Sequence, residues 1–90
     1  MQQFKPSNEL TFDTVPQDCL RLRQQLLSSK SEGLQLDLRD VTQCDSAGLA
    51  LLIEAKRICR QYQLTFEIIG MSKSLHALAE FCGVNRILVI

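Results

Sequence analysis

The stretch LDLRDVTQCDSAGL, residues 36–49, decides the fold of this chain. At its start Leu36 and Leu38 alternate with Asp37, the pattern of a strand with one buried face. At its end Asp45 or Ser46 can cap the free N–H groups of a helix. A strand that leads into a helix is the building unit of a parallel α/β sheet.

Similar segments occur on both sides of this stretch. Apolar and polar residues alternate around Leu10 and Phe12, over residues 34–38 and over residues 64–68. Residues 86–90 are continuously apolar after Arg86, and we interpret them as a last strand. Helical spacing predicts three intervening helices, at about Pro16–Ser29, residues 45–62 and Ser72–Cys82. The expected fold is a single two-layer α/β domain over residues 1–90, with a mostly parallel sheet and helices mainly on one face.

Length and charge exclude several classes of function. A chain of 90 residues and 10.2 kDa leaves no room for a second catalytic domain. Ten basic and ten acidic residues give a net charge of zero, so no overall field attracts nucleic acid or an anionic membrane. The longest apolar run, residues 49–53, is too short to cross a membrane, and the first residues lack the apolar stretch of a signal peptide. We therefore expect a cytoplasmic binding module.

The cysteines and the histidine do not form a site. Four cysteines, with no Cys-x-x-Cys pair, and one histidine lack the spacing of a zinc or redox motif. We expect no cofactor and no metal, with Cys19, Cys44, Cys59 and Cys82 as reduced, small core residues. His76 falls on the outer side of the third helix beside Glu80, a pair typical of an exposed helix surface.

The second helix has an unusual outer face. Advancing about 100° per residue places one broad apolar arc toward the sheet. The opposite arc is polar from Glu54 onward, but its first two turns carry a strip of Ser46, Leu49, Ala50 and Ile53. A contiguous apolar strip with a polar rim often marks a protein contact. The alternative is that a neighbouring loop or the first helix covers Leu49 and Ile53.

Gly48 lies on the inward arc of the same helix. A glycine inside a helix costs about 1 kcal/mol relative to alanine. Its presence at this position indicates that another backbone comes close, either in the sheet or in a partner, and the inward position of Gly48 favours the sheet.

Ser46 is the most informative single residue. A serine at a helix start is commonly a cap. A phosphate on its hydroxyl would place negative charge at a helix N-terminus, which favours anions, and would make the adjoining surface highly charged. Asp45 and Asp40 lie nearby in the sequence and would repel that phosphate. No phosphate-binding loop and no Ser-His-acid set is implied by spacing, so a small enzyme or nucleotide-binding protein has only one helix N-terminus to support it.

Residues 36–49 resemble the signature of STAS domains, the family shared by sulfate transporters and anti-sigma-factor antagonists. The likeness extends from about Leu10 to Leu88. It implies a small sheet with helices on one side. It also implies that Ser46 matches the phosphorylated or switch position of the antagonists.

Within that family, residues 46–54 and the later pattern from Leu75 to Val84 look most like the small STAS subunit of Mla-type phospholipid ABC transporters. This likeness implies a non-enzymatic subunit that binds and supports the cytoplasmic ATPase, peripheral to the inner membrane but without direct membrane insertion. Compared with the antagonists, the opening strand and turn are reduced to Phe4 and residues 8–10.

The partner expected from this resemblance is an ABC-transporter ATPase subunit, and no nucleic acid. The alternative is an anti-sigma-factor antagonist that holds an anti-sigma kinase only while Ser46 is unmodified. We expect the partner-binding surface to consist of Asp45, Ser46, Leu49, Ala50, Ile53 and Arg57.

Overall fold

A computed structural model describes residues 2–28 and 33–88 of the protein. The elements follow one another as β1 (Gln2–Phe4), β2 (Glu9–Leu10), α1 (Val15–Ser28), β3 (Gly33–Asp37), β4 (Gln43–Cys44), α2 (Ser46–Gln61), β5 (Thr65–Ile69), α3 (Lys73–Phe81) and α4 (Asn85–Leu88).

The main sheet has three parallel strands in the order β1-β3-β5. Its register sorts the side chains into two faces. Phe4, Leu36 and Ile68 form one row and pack in or against the core. Gln3, Gln35 and Glu67 form a row on the opposite face, where Gln35 accepts a hydrogen bond from Gln3 at 3.0 Å and donates one to Glu67 at 3.4 Å. One face is therefore apolar and one polar, which confirms the predicted two-layer α/β fold.

A second, smaller parallel sheet pairs β2 with β4. Glu9 lies opposite Gln43 and Leu10 opposite Cys44. An alanine Cβ at Gly48 would lie 2.5 Å from the carbonyl oxygen of Leu10 and 2.4 Å from the sulfur of Cys44. The close backbone predicted at Gly48 is therefore present, and it belongs to this small sheet.

The predicted helices are observed with small changes at their ends. α2 begins at Ser46 and ends at Gln61, and α3 follows its cap Ser72, which accepts from the N–H of Leu75 at 3.1 Å. Gly83 has φ +73°, a left-handed conformation that ends α3 as predicted.

Helical spacing alone places Asp18 on the outer side of α1, and the structure corrects this assignment. Its side chain is only 1% exposed. It accepts hydrogen bonds from the backbone N–H and the hydroxyl of Ser7, at 3.1 and 2.9 Å, and from Arg21 at 2.9 Å. The segment after β1 thus covers the first turn of α1, and helical periodicity alone does not include that neighbour.

Two strand predictions are also corrected. Around Leu10 only Glu9 and Leu10 are extended, and Phe12 lies in a turn with 78% of its surface exposed. Residues 86–88 belong to α4, not to a strand, and the rest of that predicted strand, residues 89–90, lies outside the described residues. Short apolar runs do not distinguish a strand from a buried helical turn.

The cysteines are free, but they differ in burial. Cys59 is buried, Cys19 and Cys44 are half-buried and packed against the core, and Cys82 is exposed, so the core prediction is wrong for Cys82. Burial, followed by the negative charge of Asp45, raises the pKa of the Cys44 thiol to about 11. Burial also raises the pKa of the Cys59 thiol. Both thiols are protonated at neutral pH and are poor nucleophiles.

Candidate partner-binding site at the start of α2

Asp45 is the residue that caps α2. Its Oδ1 atom accepts from the backbone N–H groups of Ala47 at 2.9 Å and Gly48 at 3.2 Å. Its Oδ2 atom accepts from the N–H of Phe12 at 3.0 Å, and its own N–H donates to the carbonyl of Leu10 at 3.1 Å. One carboxylate therefore joins the helix start to the turn after β2.

These hydrogen bonds stabilise the ionised form of Asp45. The N–H of Phe12, followed by those of Gly48 and Ala47, lowers the pKa of the Asp45 carboxyl. The cap is therefore charged at neutral pH, and it supplies the anion that a helix N-terminus favours.

Ser46 is the first residue of the helix and is exposed. Since Asp45 performs the capping, the Ser46 hydroxyl is not needed for it, and it makes no hydrogen bond within residues 2–28 and 33–88. The structure thus presents a free hydroxyl group immediately beside a bound carboxylate.

The outward strip is narrower than predicted. Ala50 is exposed one turn after Ser46, and Ile53 is half-buried, with its inner side packed against the core. Leu49 is only 2% exposed and belongs to the core, so its predicted outward orientation is wrong. The buried side of α2 is therefore wider than the arc predicted to face the sheet.

Arg57 continues the strip and is held by a neighbouring carboxylate. Glu54 accepts hydrogen bonds from Arg57 at 2.6 and 3.0 Å, and from Arg23 of α1 at 3.0 Å. The Arg57 hydrogen bond is the main reason that the pKa of Glu54 is lowered. Arg57 is therefore fixed in place at the surface.

Phe12 is a surface residue that the sequence analysis missed, because it was interpreted as part of a strand. Its backbone N–H donates to Asp45, while its ring is mostly exposed. Aromatic side chains, including phenylalanine, are enriched in protein interfaces. The feature that predicts an exposed Phe12 is its place in the turn that follows Leu10. The alternation of apolar and polar residues around Leu10 does not predict it.

A separate charged cluster lies at the end of β3. Arg39 binds the buried carboxylate of Asp37 through two side-chain N–H groups, at 2.7 and 3.0 Å, and its backbone N–H donates at 3.0 Å. These hydrogen bonds lower the pKa of Asp37 to about 2. Asp40 pairs with Lys5 at 3.2 Å. This is the carboxylate that, with Asp45, is expected to repel a phosphate at Ser46. Both side chains of this pair are exposed, so Lys5 offsets only part of the Asp40 charge.

The described residues contain no group of three or more His, Cys, Asp or Glu side chains placed to hold a metal ion. Among the helices of residues 2–28 and 33–88, none combines the length and the hydropathy that a membrane span requires. His76 lies on the exposed side of α3 as predicted.

Comparison with known proteins identifies a family model and a solved structure that are similar to this chain. A family model described as "Mlab, STAS domain" matches residues 7–90. A solved structure, a sulfate transporter family protein from Wolinella succinogenes, superimposes with a TM-score of 0.77 at 19% sequence identity, covering 97% of this chain and 70% of that one. At this identity the likeness is one of fold. A search of curated protein sequences found no match.

Proposed function

Because the chain belongs to the STAS domain family, in the group described as Mlab, STAS domain, we propose that it is a non-enzymatic accessory subunit of a Mla-type phospholipid ABC transporter. In this proposal it binds the cytoplasmic ATPase subunit through the start of α2. Its place in the cell is then the cytoplasmic side of the inner membrane, where it is held by its partner.

The observation that carries the proposal is the surface around Ser46. Phe12, Ser46 and Ala50 are exposed together, and Ile53 offers its outer side. We call these four residues the α2 surface. An aromatic ring, small side chains and one hydroxyl allow a close contact with little charge to desolvate.

Loss of Leu49 from the predicted strip changes what the surface can do. Phe12 replaces it as the large apolar side chain, and Ala50 allows the partner to approach the helix backbone. Asp45 supports the surface by fixing both Phe12 and the helix start, and Arg57 lies at its far end.

Ala50→Arg tests the surface directly. Ala50 is exposed, so the substitution leaves the core intact while placing a long charged side chain in the contact. We expect co-purification with a co-expressed Mla-type ATPase subunit to be lost, with an affinity about tenfold or more weaker and an unchanged circular dichroism spectrum.

Gln24→Arg is the matched control, since Gln24 is an exposed residue in the interior of α1. It should bind the ATPase subunit like the unmodified protein. Equal binding by folded Ala50→Arg and Gln24→Arg proteins would reject the α2 surface.

A second candidate function is favoured by the free hydroxyl of Ser46. The Ser46 side chain is exposed, so a kinase can reach it, and Asp45 caps the helix, so phosphorylation of Ser46 does not remove the cap. In this alternative the protein is an anti-sigma-factor antagonist, and a phosphate beside the Asp45 carboxylate would repel the kinase partner. Mass spectrometry of the native protein decides: a Ser46 phosphopeptide supports the switch, and its absence under all growth conditions supports the transporter subunit.

A further inference from the structure

A groove between α2 and α4 has not been used by any function described above. It has a volume of about 450 Å³ and is lined by Ile53, Lys56, Arg57, Arg60, Arg86 and Ile87. Two of these residues are apolar and four are basic. We call it the basic groove.

The charges of the basic groove are unevenly compensated. Arg57 is paired with Glu54, and the Lys56 ammonium bonds the carbonyl of Ile87. Arg60 and Arg86 are exposed, and neither has an ion pair or a side-chain hydrogen bond with any other residue in the part of the chain that the structure describes. The whole chain has no net charge, so the excess of positive charge at this groove is local and does not reflect a generally basic protein.

The apolar part of the groove restricts the occupant. Ile87 is 50% exposed on α4, and Ile53 is half-buried on α2. An inorganic anion would bind the guanidinium groups but leave both isoleucines in water. A ligand that satisfies both parts carries anionic groups together with aliphatic groups.

The shape of the groove favours a polypeptide over a membrane. The cations line a depression between two helices, where a peptide can enter but a flat bilayer surface contacts only the rim. We propose that the basic groove docks an acidic segment of a partner protein, with carboxylates on Arg60 and Arg86 and aliphatic side chains on Ile53 and Ile87. Complementary charge would raise the association rate of this contact and its selectivity for acidic partners.

The proposal goes beyond the α2 surface and does not require an ATPase partner. The two regions share Ile53, and Arg57 of the groove lies at the far end of the α2 surface, so one partner can occupy both. They can nevertheless be tested apart, because Arg60 and Arg86 do not belong to the α2 surface, and Ala50 does not line the basic groove.

Fluorescence anisotropy of the full chain with a labelled peptide that repeats Glu-Glu-Leu tests the inference. We expect binding that weakens as salt is added, and no binding of the matched Gln-Gln-Leu peptide. Arg60→Glu and Arg86→Glu should each weaken binding by about tenfold. Lys73→Glu is the control, since Lys73 is an exposed cation outside the groove and a carboxylate is favourable at the start of α3.

Arg60→Gln guards against misfolding as a cause, because it removes the charge without introducing repulsion and should weaken binding in the same direction. Absence of peptide binding, or equal loss in Lys73→Glu, would overturn the proposal. So would Arg60-dependent binding to phosphatidylglycerol vesicles or inorganic phosphate without peptide binding. Ala50→Arg should bind the peptide normally, which separates failure here from failure of the ATPase proposal.

Discussion

Asp45 and Ser46 are adjacent but have separate tasks. The carboxylate of Asp45 is engaged with three backbone N–H groups, whereas the hydroxyl of Ser46 is directed to no other described residue. The sequence allowed either residue to cap the helix, and the structure assigns capping to Asp45 alone. A mutation of Asp45 therefore tests the stability of the helix start, and a mutation of Ser46 tests binding of a partner.

Asp45→Ala should lower the urea midpoint, because it leaves the N–H groups of Phe12, Ala47 and Gly48 without their acceptor. Asp45→Asn keeps one acceptor oxygen and should have a smaller effect. Ser46→Ala should leave the midpoint unchanged. If Ser46→Ala destabilised the protein as much as Asp45→Ala, the division between the two residues would be wrong.

Leu49 and Ala50 provide a second contrast, between a core and a surface position. Leu49→Ala removes a side chain that is buried in the core, and we expect a loss of about 2–5 kcal/mol in the free energy of unfolding. Ala50→Ser, at the exposed neighbour, should change it by less than about 0.7 kcal/mol, the range of ordinary helix propensities. Urea denaturation monitored by circular dichroism measures both.

At the scale of elements, helices were predicted better than strands. α2 and α3 have long periodic faces with capping residues at their starts, and each was predicted to within one or two residues. The strand around Leu10 has two residues, too few for an alternating pattern to define. The apolar run at residues 86–90 offered no period at all, and its described part is helical.

The errors in side-chain burial have a related cause. A helical wheel assumes a single neighbour on one side, but Asp18 lies beneath the segment after β1, and Leu49 joins the core although the wheel places it outward. The wheel correctly predicted Ser46 and Ala50 as exposed, because no element of the described residues packs over these two positions. Phe12 could not be identified from periodicity, since its exposure depends on where a turn begins.

Gly48 is the position where α2 depends most on a neighbouring element. A methyl group there would meet the Leu10 carbonyl and the Cys44 sulfur, both under 3.0 Å away. We expect Gly48→Ala to destabilise the protein by about 1–3 kcal/mol through overpacking, despite the gain of about 1 kcal/mol in helix propensity.

Gly83→Ala is the comparison for this variant, since no atom of the described residues lies within 4 Å of its Cβ position and the left-handed backbone is what opposes the substitution. Its cost should be about 1–2 kcal/mol. A Gly48→Ala protein that is more stable than the parent would mean that β2 and β4 can move away from α2 at no cost.

At the scale of the whole molecule, acid stability depends on carboxylates held in their charged form. The pKa of Asp37 is about 2 in the folded protein, below its ordinary value of 3.8. A lowered folded pKa stabilises the protein at pH values above the unfolded pKa, and this stabilisation is lost as the pH falls from about 4 toward 2. The pKa values of Asp45 and Glu54 are lowered too and act in the same direction.

Asp37→Asn should therefore lower the urea midpoint at pH 6 and flatten its decline between about pH 4 and 2. Asp13→Asn removes an exposed carboxylate that has no ion pair with the described residues, and it should keep the parent's decline. Parallel declines for the Asp37→Asn protein and the parent would contradict the assignment to Asp37.

The start of α2 rests on the small β2-β4 sheet, which pairs only two residues on each strand, whereas β3 pairs five with β5. Short ladders open locally at low free energy. The amide proton of Asp45, bonded to Leu10, should therefore exchange with deuterated water sooner than that of Leu36 in the centre of the main sheet. A protein bound across the helix start would slow the first exchange and leave the second alone, so deuterium uptake can report occupancy in the unmodified chain.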